Sequence, residues 1–157
     1  MKSRPTGSKT PGHRSPQRSA QHKKLFIVEN HPIFREELRR VLKQEKDLTV
    51  IGATFVAADA LEAIARLDPD LVLVDISFPG RSGMQFIKEL RKVNRQVKVL
   101  VISMSDEAAY ADRVLRAGAD GYIMKQEDPE EVATGAIDFA GPAGQGVRAR
   151  IRAQAAS

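Results

Sequence analysis

Five short apolar runs recur along the chain: Leu25–Val28, Leu48–Thr54, Leu71–Asp75, Val97–Ile102 and Gly121–Met124. The third, Leu71-Val72-Leu73-Val74-Asp75, has no polar alternation, the signature of a strand buried on both faces of a parallel sheet. Between the runs the apolar spacing turns helical. Ile33, Phe34, Leu38, Val41 and Leu42 form a stripe behind Pro32, a residue suited to the first turn of a helix. A second stripe carries Ala60, Leu61, Ile64 and Leu67 and stops before Pro69, and a third carries Met84, Phe86, Ile87 and Leu90. The fourth helix is expected from Asp106 through Tyr110, Val114 and Leu115 to Gly118, a natural helix stop. The fifth is expected after Asp128, with Pro129 first and Val132, Ile137 and Phe139 apolar. Regular strand–helix alternation with short connections predicts one α/β domain, a doubly wound parallel sheet with helices on both faces.

Composition narrows the class. The 157 residues with 42% apolar content suffice for one domain with a core. With no cysteine, disulfides, thiol nucleophiles and cysteine-ligated metals are excluded. No apolar run approaches the roughly 20 residues that span a bilayer, and the basic N-terminus lacks the apolar stretch of a secretory signal. A cytoplasmic protein without membrane contact is the expectation.

The net charge of +5 hides a division. Residues 1–24 hold Lys2, Arg4, Lys9, Arg14, Arg18, Lys23 and Lys24 with no acid, and residues 142–157 hold Arg148, Arg150 and Arg152, also with no acid. The segment between them has 15 basic and 20 acidic residues, so the folded part is acidic and its ends basic. Residues 1–23 are expected to be a disordered tail, 24–141 the folded domain and 142–157 a second basic tail. Such tails favour weak contact with nucleic acid at most, and a solvated end is the preferred reading of the Arg148/Arg150/Arg152 alternation.

The chemistry gathers at the strand ends. Glu29 and Asn30 follow the first strand, Asp75 closes the third, Ser103 follows the fourth and Lys125 the fifth. In a doubly wound sheet these loops share one edge, where such sheets bind ligands. A carboxylate can attack phosphorus, a second can hold Mg²⁺, and a lysine and a hydroxyl can meet phosphoryl oxygens. Each residue also has a plainer reading: Asp75 as a turn residue, Ser103 as a helix cap, Lys125 as a surface lysine, Tyr122 as packing. His31, before Pro32 at a helix start, reads as structural.

Four motifs in order resemble one family. Ile27-Val28-Glu29-Asn30-His31-Pro32, Val72-Leu73-Val74-Asp75 with Pro79-Gly80 and Gly83, Val101-Ile102-Ser103-Met104-Ser105-Asp106, and Arg116-Ala117-Gly118-Ala119-Asp120-Gly121-Tyr122-Ile123-Met124-Lys125 resemble the signatures of two-component response regulator receiver domains, in particular the NarL/FixJ-type branch. The resemblance implies a flavodoxin-like sheet of order 2-1-3-4-5. It implies that Asp75 takes a phosphoryl group from a histidine kinase or phosphotransfer protein. Glu29, Asn30, Asp75 and the carbonyl of Ser77 would hold Mg²⁺, and Ser103, Tyr122 and Lys125 would bind the phosphate and switch with it. Output would pass through the fourth helix, fifth strand and fifth helix by protein contacts, with a second copy of the chain a further candidate partner. Enzymatic activity beyond weak self-dephosphorylation is not expected.

Two departures from the family pattern change the picture. Asn30 stands where the branch has an aspartate that binds the metal directly, so a neutral amide replaces an anionic ligand of a hard cation. The stretch from Pro142 to Ser157 is also too short for the helix-turn-helix DNA-binding domain usual in the branch. A phosphoacceptor module is therefore weighed against a pseudo-receiver, an interaction module whose weakened metal site is not phosphorylated.

Overall fold

The computed structural model describes residues 22–76, 82–104, 108–125 and 128–141. Strands and helices alternate: β1 (Lys23–Val28), α1 (Pro32–Leu42), β2 (Leu48–Thr54), α2 (Ala57–Leu67), β3 (Leu71–Asp75), α3 (Gly83–Val93), β4 (Lys98–Ser103), α4 (Ala108–Ala117), β5 (Gly121–Met124) and α5 (Pro129–Ala140). The strands form one parallel sheet in the order β2-β1-β3-β4-β5. Among the described residues no helix is long and apolar enough to cross a membrane.

The order explains the layers. The chain moves from β1 outward to β2, then returns past β1 to β3 and runs on to β5. Right-handed crossovers in opposite directions put their helices on opposite faces of a sheet, so α1 lies across the sheet from α2, α3 and α4. α5 joins α1, and α3 packs beside α4. β3 sits at the centre with all five residues buried, which is why its sequence is apolar without alternation.

Local chemistry sets the element ends. Pro32 and Pro129 occupy first-turn positions of α1 and α5, where a missing N–H costs nothing. The Asp128 carboxylate accepts from the Glu130 N–H at 2.8 Å, and Glu130 and Glu131 add negative charge where the helix dipole is positive. Asp68 ends α2 with φ 48° ahead of Pro69. Gly83 opens α3 against the end of β3: a Cβ there would lie 2.4 Å from the Ile76 carbonyl oxygen. Glycine thus lets the helix start close behind Asp75.

Three details differ from the pattern reading. β1 begins at Lys23, because Lys23 and Lys24 already pair with Leu48 and Thr49 of β2. β4 runs from Lys98 to Ser103: the Val97 N–H bonds the Asn94 side chain and its carbonyl accepts from Arg91, so Val97 precedes the ladder. Ile33 does not join the buried stripe of α1 but is 74% exposed. The face set by Leu38 and Leu42 includes Phe34 one turn earlier, and the neighbouring position is rotated by about 100° from it. The expected helix start at Asp106 and both tails beyond residues 22 and 141 lie outside the described residues.

Candidate functional site

Register alone brings the chemistry together. Val28 pairs with Val74, so Glu29 follows β1 level with Asp75 at the end of β3. Asp75 pairs with Ile102, and Ser103 pairs with Met124, the residue before Lys125. The Lys125 N–H donates to the Ser103 carbonyl at 2.6 Å, tying the last two strand ends. Glu29, Asp75, Ser103 and Lys125 therefore converge on the carboxyl edge, beside the switch point between β1 and β3.

The centre is an ion triad. Lys125 Nζ lies 2.6 Å from Glu29 Oε1 and 3.1 Å from Asp75 Oδ2. Glu29 is fully buried, Asp75 nearly so, and the lysine side chain is 10% exposed. Two buried carboxylates face one ammonium, so the triad carries an excess negative charge when both are ionised. Burial is the largest influence on the Glu29 carboxyl and pushes it up; the Lys125 hydrogen bond opposes this, Asp75 raises it again and the His31 N–H lowers it. The outcome is a pKa near neutrality, about 7 against an ordinary 4.5.

The start of α1 holds this triad from one side. The His31 N–H donates to Glu29 Oε1 at 3.0 Å, while His31 Nδ1 caps the helix by accepting from the Phe34 N–H at 3.2 Å. The Arg35 guanidinium donates to the Glu29 carbonyl at 3.1 Å and lies over the Phe55 ring. The Phe34 ring faces Lys125, its centroid 4.9 Å from Nζ. His31 is structural, as its position before Pro32 suggests, but it also anchors the buried carboxylate. Phe34 reads from the sequence only as a core position. Its contact with Lys125 joins residues 91 positions apart, and no local pattern encodes it.

The remaining predicted residues fall around this centre. Ser103 is buried at the end of β4. Tyr122 is buried on β5 and meets Tyr110 of α4 edge-to-face, with centroids 6.4 Å apart, and Arg113 lies over the Tyr110 ring. Asn30 is half-buried directly after Glu29. Ser77, expected to offer its carbonyl to a metal, lies outside the described residues, as do Pro79 and Gly80.

The donor set suits a hard cation. Glu29 Oε2 is buried without a hydrogen-bond partner, an arrangement that is costly for an anionic oxygen unless a cation relieves it. Two carboxylates and the Asn30 amide supply oxygen ligands of the kind Mg²⁺ takes. Among the described residues no group of three or more His, Cys, Asp and Glu residues could hold a metal. An ion here would complete its shell with neutral oxygens and water, which is the habit of Mg²⁺.

A nearly closed buried triad at the switch-point edge of a 2-1-3-4-5 sheet defines a class, and sequence comparison agrees. Residues 25–136 match the response regulator receiver domain family, and the chain belongs to that family of two-component signalling modules. It is 30% identical over 108 residues to the nitrate/nitrite response regulator NarL of Escherichia coli K12, covering 69% of this chain and 50% of that protein. It is 33% identical over 106 residues to the transcriptional regulatory protein DegU of Brevibacillus brevis, covering 68% and 45%. The chain thus spans about half the length of the curated relatives it matches. The signal receiver domain of a NarL response regulator from Mycobacterium tuberculosis superposes with a TM-score of 0.70 at 32% identity, over 76% of this chain and 97% of that one. A LuxR-family two-component response regulator from Aurantimonas sp. SI85-9A1 gives a TM-score of 0.72 at 25% identity, over 85% and 97%. Receiver domains of this family typically bind Mg²⁺ at their phosphorylation site and work as signalling modules.

Proposed function

We propose that this receiver domain accepts a phosphoryl group on Asp75 from the phosphohistidine of a histidine kinase or phosphotransfer protein. The observation that carries this reading is the Lys125 ammonium 3.1 Å from Asp75 Oδ2, at the edge where β3 ends. An Asp75 carboxylate oxygen attacks the phosphorus, the P–N bond breaks, and its electron pair returns to the imidazole. The product is an acyl phosphate on Asp75. Little covalent help is needed, because such transfers depend mainly on positioning and charge neutralisation. Lys125 neutralises a phosphoryl oxygen, the Ser103 hydroxyl donates to another, and the His31 N–H keeps Glu29 in place beside them. Glu29, Asn30, Asp75 and the Ser77 carbonyl would hold Mg²⁺, which when bound supplies the positive charge that the phosphoryl oxygens require.

Output then runs through protein contacts of α4, β5 and α5. Tyr122, edge-on to Tyr110, links the site to α4 and is the residue proposed to respond to the Ser103 hydroxyl. The test is incubation with acetyl phosphate and Mg²⁺, followed by intact-mass measurement. A gain of one phosphoryl group in the parent chain and none in Asp75→Asn is expected. Modification that persists in Asp75→Asn would move the acceptor elsewhere. No modification of the parent would leave an interaction module and overturn the proposed transfer.

A further inference from the structure

The Lys125 ammonium has a third neighbour besides the two carboxylates. The Phe34 ring centroid lies 4.9 Å from Nζ, within the range of cation–π attraction, and the lysine side chain is 10% exposed. Attraction of this kind is strongest where water is excluded. The ring is also fixed by the hydrogen bonds that fix Glu29: His31 accepts from the Phe34 N–H through Nδ1 and donates its own N–H to Glu29 Oε1. Carboxylate and ring are therefore set by one helix start, and the ammonium from β5 sits between them. Glu29 uses one oxygen for Lys125 and keeps Oε2 buried and unpartnered.

We infer that Phe34 is a positioning residue for Lys125, and that the caged ammonium acts as a built-in competitor of the divalent cation for the Glu29–Asp75 pair. This rests on the reading of the site as a Mg²⁺ site. Asn30 contributes no charge, so among the described residues Glu29 and Asp75 supply the negative charge at the centre, and Lys125 already neutralises part of it. A divalent ion entering beside Glu29 meets the ammonium at close range and is repelled by it. The ring holds the ammonium in that position, and a leucine of similar bulk would pack in its place without attracting the charge. The strength of the cage thus sets how much Mg²⁺ is needed to load the site.

The test compares the full chain with Phe34→Leu, Phe34→Tyr and Lys125→Gln. Mg²⁺ alone is titrated by calorimetry, and the Lys125 ε-methylene protons are followed by NMR. Ring-current shielding should move those protons upfield in the parent and in Phe34→Tyr but not in Phe34→Leu. Mg²⁺ affinity should rise roughly two- to thirty-fold in Phe34→Leu, the range that cation–π energies span at equilibrium, remain near the parent in Phe34→Tyr, and rise further in Lys125→Gln. Metal bound with equal affinity by the parent, Phe34→Leu and Lys125→Gln overturns the inference and leaves the metal site standing. Upfield protons retained in Phe34→Leu overturn the cage itself. No Mg²⁺ binding by any of the four proteins overturns the metal reading, and the competition with it. Lys125→Gln leaves the Phe34 ring and its packing in the core in place, so its comparison with the parent decides the competition even where a Phe34 variant does not fold.

Discussion

Asn30 and Glu29 are adjacent in the chain and opposite in effect. Glu29 brings a buried negative charge whose second oxygen has no partner, while Asn30 offers an amide oxygen without charge. A hard divalent cation gains more from an anionic ligand, and at an effective dielectric near 20 a divalent and a unit charge about 4 Å apart attract by about 8 kcal/mol before water and relaxation absorb much of it. Asn30→Asp is therefore expected to tighten Mg²⁺ binding and to speed labelling by acetyl phosphate. Without metal the added carboxylate repels its neighbours and lowers the melting temperature slightly. The reverted protein should show the steeper rise in melting temperature across a Mg²⁺ series. Identical metal dependence in the two proteins would mean that the amide already suffices.

The elements are joined at the opposite edge of the sheet by one side chain. Arg91, in the last turn of α3, donates to the Gly118 carbonyl at 2.8 Å, to the Val97 carbonyl at 2.6 Å and to the Asp120 carboxylate at 2.7 Å. Asp120 in turn accepts from the Val99 N–H at 3.0 Å. Gly118 takes φ +123°, a conformation that side-chain-bearing residues resist, so the turn after α4 exposes its carbonyl to Arg91. This staple ties α3, the start of β4 and the α4–β5 turn. Arg91→Met keeps the aliphatic stem and deletes every one of these donors. It should lower the unfolding free energy by about 2–3 kcal/mol in urea titration, since several carbonyls and a carboxylate lose their partner. A change within about 0.5 kcal/mol would show that water replaces the guanidinium without loss.

For the whole molecule, the buried triad makes stability depend on pH and metal together. The Glu29 carboxyl titrates near 7 in the fold and near 4.5 when unfolded. Between those values the native state retains a proton that the unfolded chain has released, so unfolding free energy falls as pH rises. The contribution is fully present below pH 4.5 and lost through about pH 7, with a slope of up to about 1.4 kcal/mol per pH unit. In metal-free denaturant titrations the parent should lose stability over this window relative to Glu29→Gln. Mg²⁺ binds the ionised form, so adding it should flatten the fall at the upper end. Parallel pH profiles for the two proteins would mean that Lys125 holds Glu29 ionised throughout.

Much of this was legible in residue order because its causes are local. Hydrophobic runs and their spacing determine strands and helices, Pro32, Pro129 and Asp128 mark helix starts, and a carboxylate or lysine directly after a strand must lie at one edge of a parallel sheet. Those rules suffice for the alternation and for Glu29, Asp75, Ser103 and Lys125 as a group, while the family was legible through four motifs in order that resemble its signatures. Ile33 shows their reach: apolar character alone joined it to the α1 stripe, and only the direction of the helix axis against α5 and the sheet turned it outward. What the tertiary structure decided is every relation between residues distant in the chain: that Lys125 bridges Glu29 and Asp75, that Phe34 covers its ammonium, that Arg91 reaches Gly118 and Asp120. Such contacts depend on register and on the packing of α1 beside α5 against the sheet, quantities that a side chain's identity does not carry. The raised pKa of Glu29 belongs with them, because burial and the charges of Asp75 and Lys125 come from segments distant in the chain folded onto one edge.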